Sequence, residues 1–204
     1  MTIRALMVDV DGVIVHPAHP GGWAERLEAD LGLKAEDLQA AFFRPHWEEV
    51  MLGRADLHDR LGPVLQDIAP HLTSQTLADY WFSRDARLDE TLLEDLAGLR
   101  AKGLPLHLAT VQEHHRARYL WTRLGLSERF DAMHYAAELG AAKPDPAFFR
   151  AIEARTGFAP RELALLDDRP GNVEAARACG WAAALWHGTC SMAGVLIELG
   201  LDLR

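Results

Sequence analysis

The sequence predicts an α/β fold: a parallel sheet with helices on both faces and an all-helical unit inserted after the first strand. Three observations carry this. The run from Ile3 to Val15 is rich in Val, Ile, Leu and Met and reads as a central buried strand. The roughly seventy residues that follow show apolar positions only at three- and four-residue spacing. From Asp89 onward, short apolar segments take turns with amphipathic ones, the alternation that builds a parallel sheet covered on both faces.

In order along the chain, LMVDVDGVIV (Leu6 to Val15) is the strand and turns at Gly12, after which HPAHPGGW interrupts it with Pro and Gly. WAERLEADLGL, AEDLQAAFFRPHWEEVMLG, LHDRLGPVLQDI and SQTLADYWFSR read as helices broken at Gly32, Pro45, Gly53, Gly62 and Pro70, with no convincing strand among them. This assigns residues 16–85 to the helical unit and residues 1–15 and 86–204 to the core. In the core, DETLLEDLAGLRAKG is a helix stopped by Gly, LPLHLAT a strand, EHHRARYLWTRLG a helix and FDAMHYA a short strand. PDPAFFRAIEARTG is a helix, LALLDD a strand, RPGNVEAARACG a helix with Pro in its first turn, and WAAALWH the last strand before a terminal helix.

With 204 residues at 49% hydrophobic content the chain can bury a full core. Its 21 basic and 30 acidic side chains leave a formal charge of −9 and are interspersed, which argues against nucleic acid or an anionic membrane as partner. No apolar run approaches the roughly 18 to 20 residues of a membrane helix, and Met1 to Arg4 leads into the first strand without a signal-peptide pattern. A cytoplasmic protein is expected, with Cys179 and Cys190 as reduced thiols.

Asp9 and Asp11 flank Val10 inside the first apolar run. Burying an unpaired carboxylate there costs on the order of several kcal/mol, so each needs a cation, a partner or an exposed strand end. A lone Asp at such a place is more simply a turn cap. LALLDDRPGN repeats the pattern, however, because Asp167 and Asp168 also end an apolar strand. Ligands of parallel sheets lie beyond the carboxyl ends of the strands, which puts Asp9, Asp11, Thr110, Asp167 and Asp168 on one rim. Four converging carboxylates repel one another unless a hard divalent ion sits among them; Mg²⁺ suits carboxylate, water and phosphate oxygens, and no Cys/His set has zinc spacing. One of Asp167 and Asp168, like Asn172, also suits a cap of the following helix. Lys143 precedes Pro144 in a positioned loop, and the Thr110 hydroxyl faces the same rim. Together these supply a carboxylate nucleophile, metal ligands, a hydroxyl donor and a fixed cation, the parts that hold and transfer a phosphoryl group.

In that order DVDGV, Thr110, Lys143-Pro144 and LLDDRPGN resemble the four motifs of the haloacid dehalogenase superfamily of hydrolases, over nearly the whole chain. The inserted unit resembles the small helical cap of that superfamily's first subclass. LGAAKPDPAFF and DDRPGNVEAARACGW are similar to its sugar-phosphate and related small-molecule phosphatases. The resemblance implies a Rossmann-like core. It implies that Asp9 attacks phosphorus to give an aspartyl-phosphate, and that Asp11 protonates the leaving oxygen and then activates water. It further implies Mg²⁺ held by Asp9, the Asp11 backbone carbonyl, Asp168 and Asp167, with Thr110 and Lys143 neutralising the non-bridging oxygens. The expected partner is a small phosphorylated metabolite, and the expected assembly a monomer or homodimer.

A 2-haloacid dehalogenase is one alternative, although the dehalogenases this resembles lack an acid at the Asp11 position and need no metal. A phosphomutase is another, and a non-catalytic binding or regulatory domain is the alternative of a different class. Val111 stands where such proteins often carry Asn after the motif Thr. In the helical unit, His16, His19, Arg44, His46, Trp47 and Arg54 are candidates to face substrate; Trp47, Phe42 and Phe43 also fit a core at helical spacing. The terminal LIELGLDL, after Trp181 and Trp186, suits either cover for a sheet edge or a dimer contact.

Overall fold

The computed structural model describes residues 3–188 and 190–201. Its centre is a five-stranded parallel sheet built from β1 (Ala5–Val8), β4 (Leu106–Thr110), β5 (Ala132–Tyr135), β6 (Leu163–Asp167) and β7 (Ala182–Leu185), in the order β5-β4-β1-β6-β7. Alternation along the strands divides the core. Leu6, Val8, Leu106, Leu108, Ala164 and Leu166 face one layer, with Leu93 and Leu96 of α6 (Glu90–Ala101) and Val195 of α11 (Met192–Glu198). Ala5, Met7, Ala109, Leu163 and Leu165 face the other, with Phe148, Phe149 and Ile152 of α9 (Pro146–Thr156) and Val173 and Ala176 of α10 (Pro170–Ala178). β1 is the central strand, buried on both faces, which is why its sequence is continuously apolar.

The expected α/β fold is present, with three local corrections. First, the apolar run does not continue as a strand from Ile3 to Val15. After Val8 the chain coils into a turn in which the N–H groups of Val13, Ile14 and Val15 all donate to the Val10 carbonyl. Val10, Val13, Ile14 and Val15 are nevertheless buried, because an apolar run reports burial and not extended geometry. Second, two short strands flank the helical unit: β2 (Val15–His16) pairs antiparallel with β3 (Arg87–Leu88), so the outgoing and returning chains run side by side. Two residues are too few to register as a period. Third, Pro45 and Gly62 do not break helices. A single wide turn, Gln39–Phe43, carries α2 (Ala35–Leu38) into α3 (Arg44–Met51), with the Arg44 N–H reaching back to Gln39. Such a turn relieves the ring clash and missing donor of Pro45. Gly62 lies inside α4 (Leu57–Ile68).

The helices α1 (Leu27–Leu31) to α5 (Ser74–Arg84) bury a cluster of their own that includes Leu38, Phe42, Leu57, Leu61, Leu65, Leu77 and Phe82. Trp23, Phe43, Trp47 and Trp81 stack beside it, with centroids of 5.1 to 6.3 Å between Trp23 and its neighbours Trp81 and Phe43. Gly53, at φ +69°, lets the chain after α3 press against the Ala137 carbonyl of α8 (Ala136–Leu139) in the core, where any side chain would collide. The terminal α11 packs on the sheet through Met192 and Val195 and leaves Ile197 81% exposed, so this segment covers the core; Asp202 and Leu203 lie outside the described residues. Among the described residues no helix is long and apolar enough to cross a membrane.

Phe149 is fully buried between α9 and the sheet and meets Trp181 edge-on at 5.3 Å. Phe149→Ala is expected to lower stability by about 3–5 kcal/mol, read as a lower urea midpoint with an unchanged slope.

Candidate active site

The carboxyl ends of β4, β1 and β6 lie side by side, and the connections leave them in opposite directions: β1 leads to β4 and β5 on one side, and β6 and β7 occupy the other. Such a switch point opens a crevice at the strand ends. Asp9 follows β1 directly, its N–H donating to the Leu166 carbonyl at 2.9 Å and its Oδ1 accepting from the Val10 N–H at 2.7 Å. Thr110 and Asp167 are the last residues of their strands, and Asp168 is the next.

Lys143 ties two of the carboxylates together. Its ammonium lies 3.0 Å from Asp9 Oδ1 and 2.5 Å from Asp167 Oδ2, and both the Lys143 and Asp167 side chains are 0% exposed. Asp167 also accepts from the Asn172 amide at 2.9 and 3.1 Å and from the Arg169 N–H at 2.9 Å. It therefore both holds the lysine and anchors the start of α10. Asp168 is different: its Oδ1 is buried with no hydrogen-bond partner among the described residues, and its carboxylate rests against Gly12. At Gly12, where φ is +83°, a Cβ would collide with that carboxylate, so the turn after Asp11 is shaped around Asp168.

Asp9, Asp167 and Asp168 each present an oxygen within 4.8 Å of the others. An all-carboxylate set with an orphaned buried oxygen suits a hard divalent cation. Without one, burial raises the Asp9 carboxyl to about 7, the neighbouring Asp167 adding to the rise and Lys143 opposing it. Burial and then Asp167 raise Asp168 as well.

The Asp11 carboxylate stands outside this trio. Its Oδ2 accepts from the Gln112 amide at 2.6 Å, and its Oδ1 lies 3.8 Å from the Arg116 guanidinium. The same Gln112 nitrogen donates to Thr110 Oγ1 at 3.2 Å. Neither Gln112 nor Arg116 was singled out from the sequence. A Gln beyond a strand end and an Arg inside an amphipathic helix carry no periodic signal, and only their burial marks them. Glu113 caps α7 (His114–Arg118), accepting from the N–H groups of His115 and Arg116.

A cavity of about 300 Å³ opens over the cluster, lined by Asp9, Asp11, Thr110, Val111, Lys143 and Arg169, and roofed by Trp47 and Met51 of α3. Of the candidates in the helical unit, Trp47 lines it. His46 is paired with Glu49 at 3.3 Å, and His16 lies 3.9 Å from Asp89. Val111 also lines the cavity and gives that wall an apolar side chain.

The sign of the Asp9 shift sets a test. Its folded value of about 7 lies above the ordinary carboxyl value of 3.8, so the stability that protonation lends is complete below about pH 4 and lost as pH rises through 7. Metal-free wild type should therefore lose melting temperature across this window relative to Asp9→Asn, with the widest gap above pH 7. Parallel melts of the two proteins in chelator check it.

Comparison with known proteins matches this architecture. The haloacid dehalogenase-like hydrolase family model aligns with residues 3–180. The phosphoserine phosphatase of Thermus thermophilus is 36% identical over 92 residues, which is 45% of this chain; the chain spans only 36% of that protein's length. The phosphoglycolate phosphatase of Yersinia pestis is 28% identical over 196 residues, covering 87% of this chain and 78% of that protein. A HAD family enzyme from Bacteroides thetaiotaomicron, solved with magnesium and inorganic phosphate, superposes with a TM-score of 0.79 at 15% identity over 95% of this chain and 98% of that one, a likeness of fold. Since the family alignment runs from before β1 to the end of α10 and so takes in every strand end that builds the crevice, this chain belongs to the haloacid dehalogenase-like hydrolases.

Proposed function

We propose that the protein is a Mg²⁺-dependent phosphatase of small phosphomonoesters, with residues 16–85 as a cap over the crevice. The observation that carries the reading is the separation of Asp11 from the other acids: its carboxylate is held away from the trio of Asp9, Asp167 and Asp168, although Asp9 stands only two residues before it. A dehalogenase has no use for that second acid. The phosphatase names of the relatives agree, and the cavity of about 300 Å³ favours a small substrate such as a sugar phosphate or a similar metabolite. The free thiols Cys179 and Cys190 accord with a cytoplasmic enzyme.

In this reading an Asp9 carboxylate oxygen attacks phosphorus and the bond from phosphorus to the ester oxygen breaks, leaving an aspartyl-phosphate. Asp11 gives its proton to the departing alkoxide and, now ionised, takes one from the water that attacks phosphorus next. The phosphorus–oxygen bond to Asp9 breaks, inorganic phosphate leaves, and Asp11 is protonated again. Thr110 and Lys143 offer a hydroxyl and an ammonium to the non-bridging oxygens. Mg²⁺, bound by Asp9, Asp168, Asp167 and the Asp11 carbonyl, would supply charge neutralisation that keeps Asp9 ionised and draws the phosphoryl group in. Asp168, with its unpartnered oxygen, is the better placed of the two C-terminal ligands, because the Asp167 oxygens already accept from Lys143, Asn172 and Arg169.

Purified protein with Mg²⁺ should release phosphate from a panel of small phosphomonoesters, and Asp9→Asn should be folded and inactive on all of them. Chloride release from 2-chloropropionate in the absence of any phosphate release would establish the dehalogenase instead. Asp168→Ala should move the Mg²⁺ concentration for half-maximal rate upward by about tenfold or more, on the scale of lost metal-site groups; an unshifted titration would remove Asp168 from the ligand set.

A further inference from the structure

Gln112 is 5% exposed, yet its amide nitrogen does not serve the backbone of its own loop. It is aimed back across the crevice, donating to Asp11 Oδ2 at 2.6 Å and to Thr110 Oγ1 at 3.2 Å. Asp11 lies on the turn after β1, with a side chain 48% exposed and free, on its own backbone, to swing among rotamers. Its other oxygen faces Arg116, whose guanidinium is 2% exposed and is itself clamped. Arg116 Nη1 donates to the Phe82 carbonyl at 3.0 Å and Nη2 to the Asp85 carbonyl, acceptors left open at the end of α5, and the group lies over the Phe82 and Tyr119 rings at 5.5 Å. The Asp85 carboxylate shares the same cation at 3.8 Å. Asp11 is thus seated between a neutral donor fixed to β4 and a buried cation fixed to the chain returning from the helical unit.

We propose that Gln112 is a positioning residue for Asp11: its amide holds the carboxylate off the Asp9, Asp167 and Asp168 trio and aims it at the oxygen that leaves, with Arg116 backing the other carboxylate oxygen. The assignment rests on the reading of Asp11 as the proton-transfer group. It extends that reading to a residue outside the four motifs, two positions beyond the motif Thr110, where Val111 has no donor to offer. A neutral amide suits the task because it can orient a carboxyl in either protonation state.

The test uses the full chain with Mg²⁺ and two substrates, p-nitrophenyl phosphate and the alkyl phosphomonoester turned over fastest by wild type. Gln112→Met keeps length and volume and removes the donor. It should lower kcat on the alkyl ester by about 10- to 100-fold, within the range for a misplaced proton-transfer group, and lower kcat on the nitrophenyl ester several-fold less, with KM little changed. In an Asp11→Asn background the same substitution should bring no further loss. Gln112→Asn, which withdraws the amide by one methylene, should show the same leaving-group preference and replaces the Met variant if melting shows that one unfolded. Equal losses on both substrates, or an additive loss on top of Asp11→Asn, would make Gln112 a packing residue and overturn the proposal. Wild type that releases phosphate from no ester would overturn the phosphatase reading itself, a result distinct from both.

Discussion

Everything at the crevice depends on two carboxylates being held together inside the protein by one ammonium. Asp9 and Asp167 stand on adjacent strand ends, and Lys143 lies within 3.0 Å of both. Either acid alone, ionised at that depth, would be a large desolvation cost. The lysine offsets it, Asn172 and the Arg169 N–H satisfy the remaining Asp167 lone pairs, and the packing of β1 against β6 follows with the charges already paired. One lysine for two buried acids leaves a net negative charge, and Asp168 adds a third acid with an unpartnered oxygen. The cluster is therefore stable enough to form and still short of positive charge, which is the electrostatic condition for taking up a cation.

The sheet order turns that cluster into a site. Because β1 lies between β4 and β6, with β5 beyond the one and β7 beyond the other, a crevice opens at their carboxyl ends. The helical unit leaves and returns through the paired strands β2 and β3, next to that opening, and brings Trp47 and Met51 over it. Trp47 belongs to the aromatic cluster of the unit, 5.4 Å from Phe43 and 5.5 Å from Trp81, and to the cavity wall as well. A ring fixed on one side by stacking is a rigid wall on the other, so the core of the unit also shapes the space left for substrate.

Much of the candidate site was legible because its residues break a pattern. Acids inside or at the end of apolar runs are conspicuous in LMVDVDGVIV and LALLDDRPGN, and the cost of burying them makes a reader look for partners. Lys143 was legible as a companion, although its bonds to Asp9 and Asp167 were not. Gln112 and Arg116 were silent, since a polar residue just past a strand and an Arg on an amphipathic helix look solvated until the fold buries them. The β2–β3 pair was silent for want of length, and the helix through Pro45 because a wide turn can absorb a residue that ordinarily stops one.

The sequence by itself determined what depends on neighbours along the chain. Alternation of apolar segments set the α/β class, helical spacing set the inserted unit, and the placing of Asp9, Thr110 and Asp167 at strand ends set which side of the sheet is chemical. Only the tertiary structure decided which three of the four aspartates lie together and which one is turned away. That choice hangs on contacts between residues far apart in sequence: Gln112 with Asp11, Arg116 with the Phe82 and Asp85 carbonyls, and Gly12 with Asp168. Periodicity records which way a side chain faces along its own element, and these contacts are fixed by how separate elements meet.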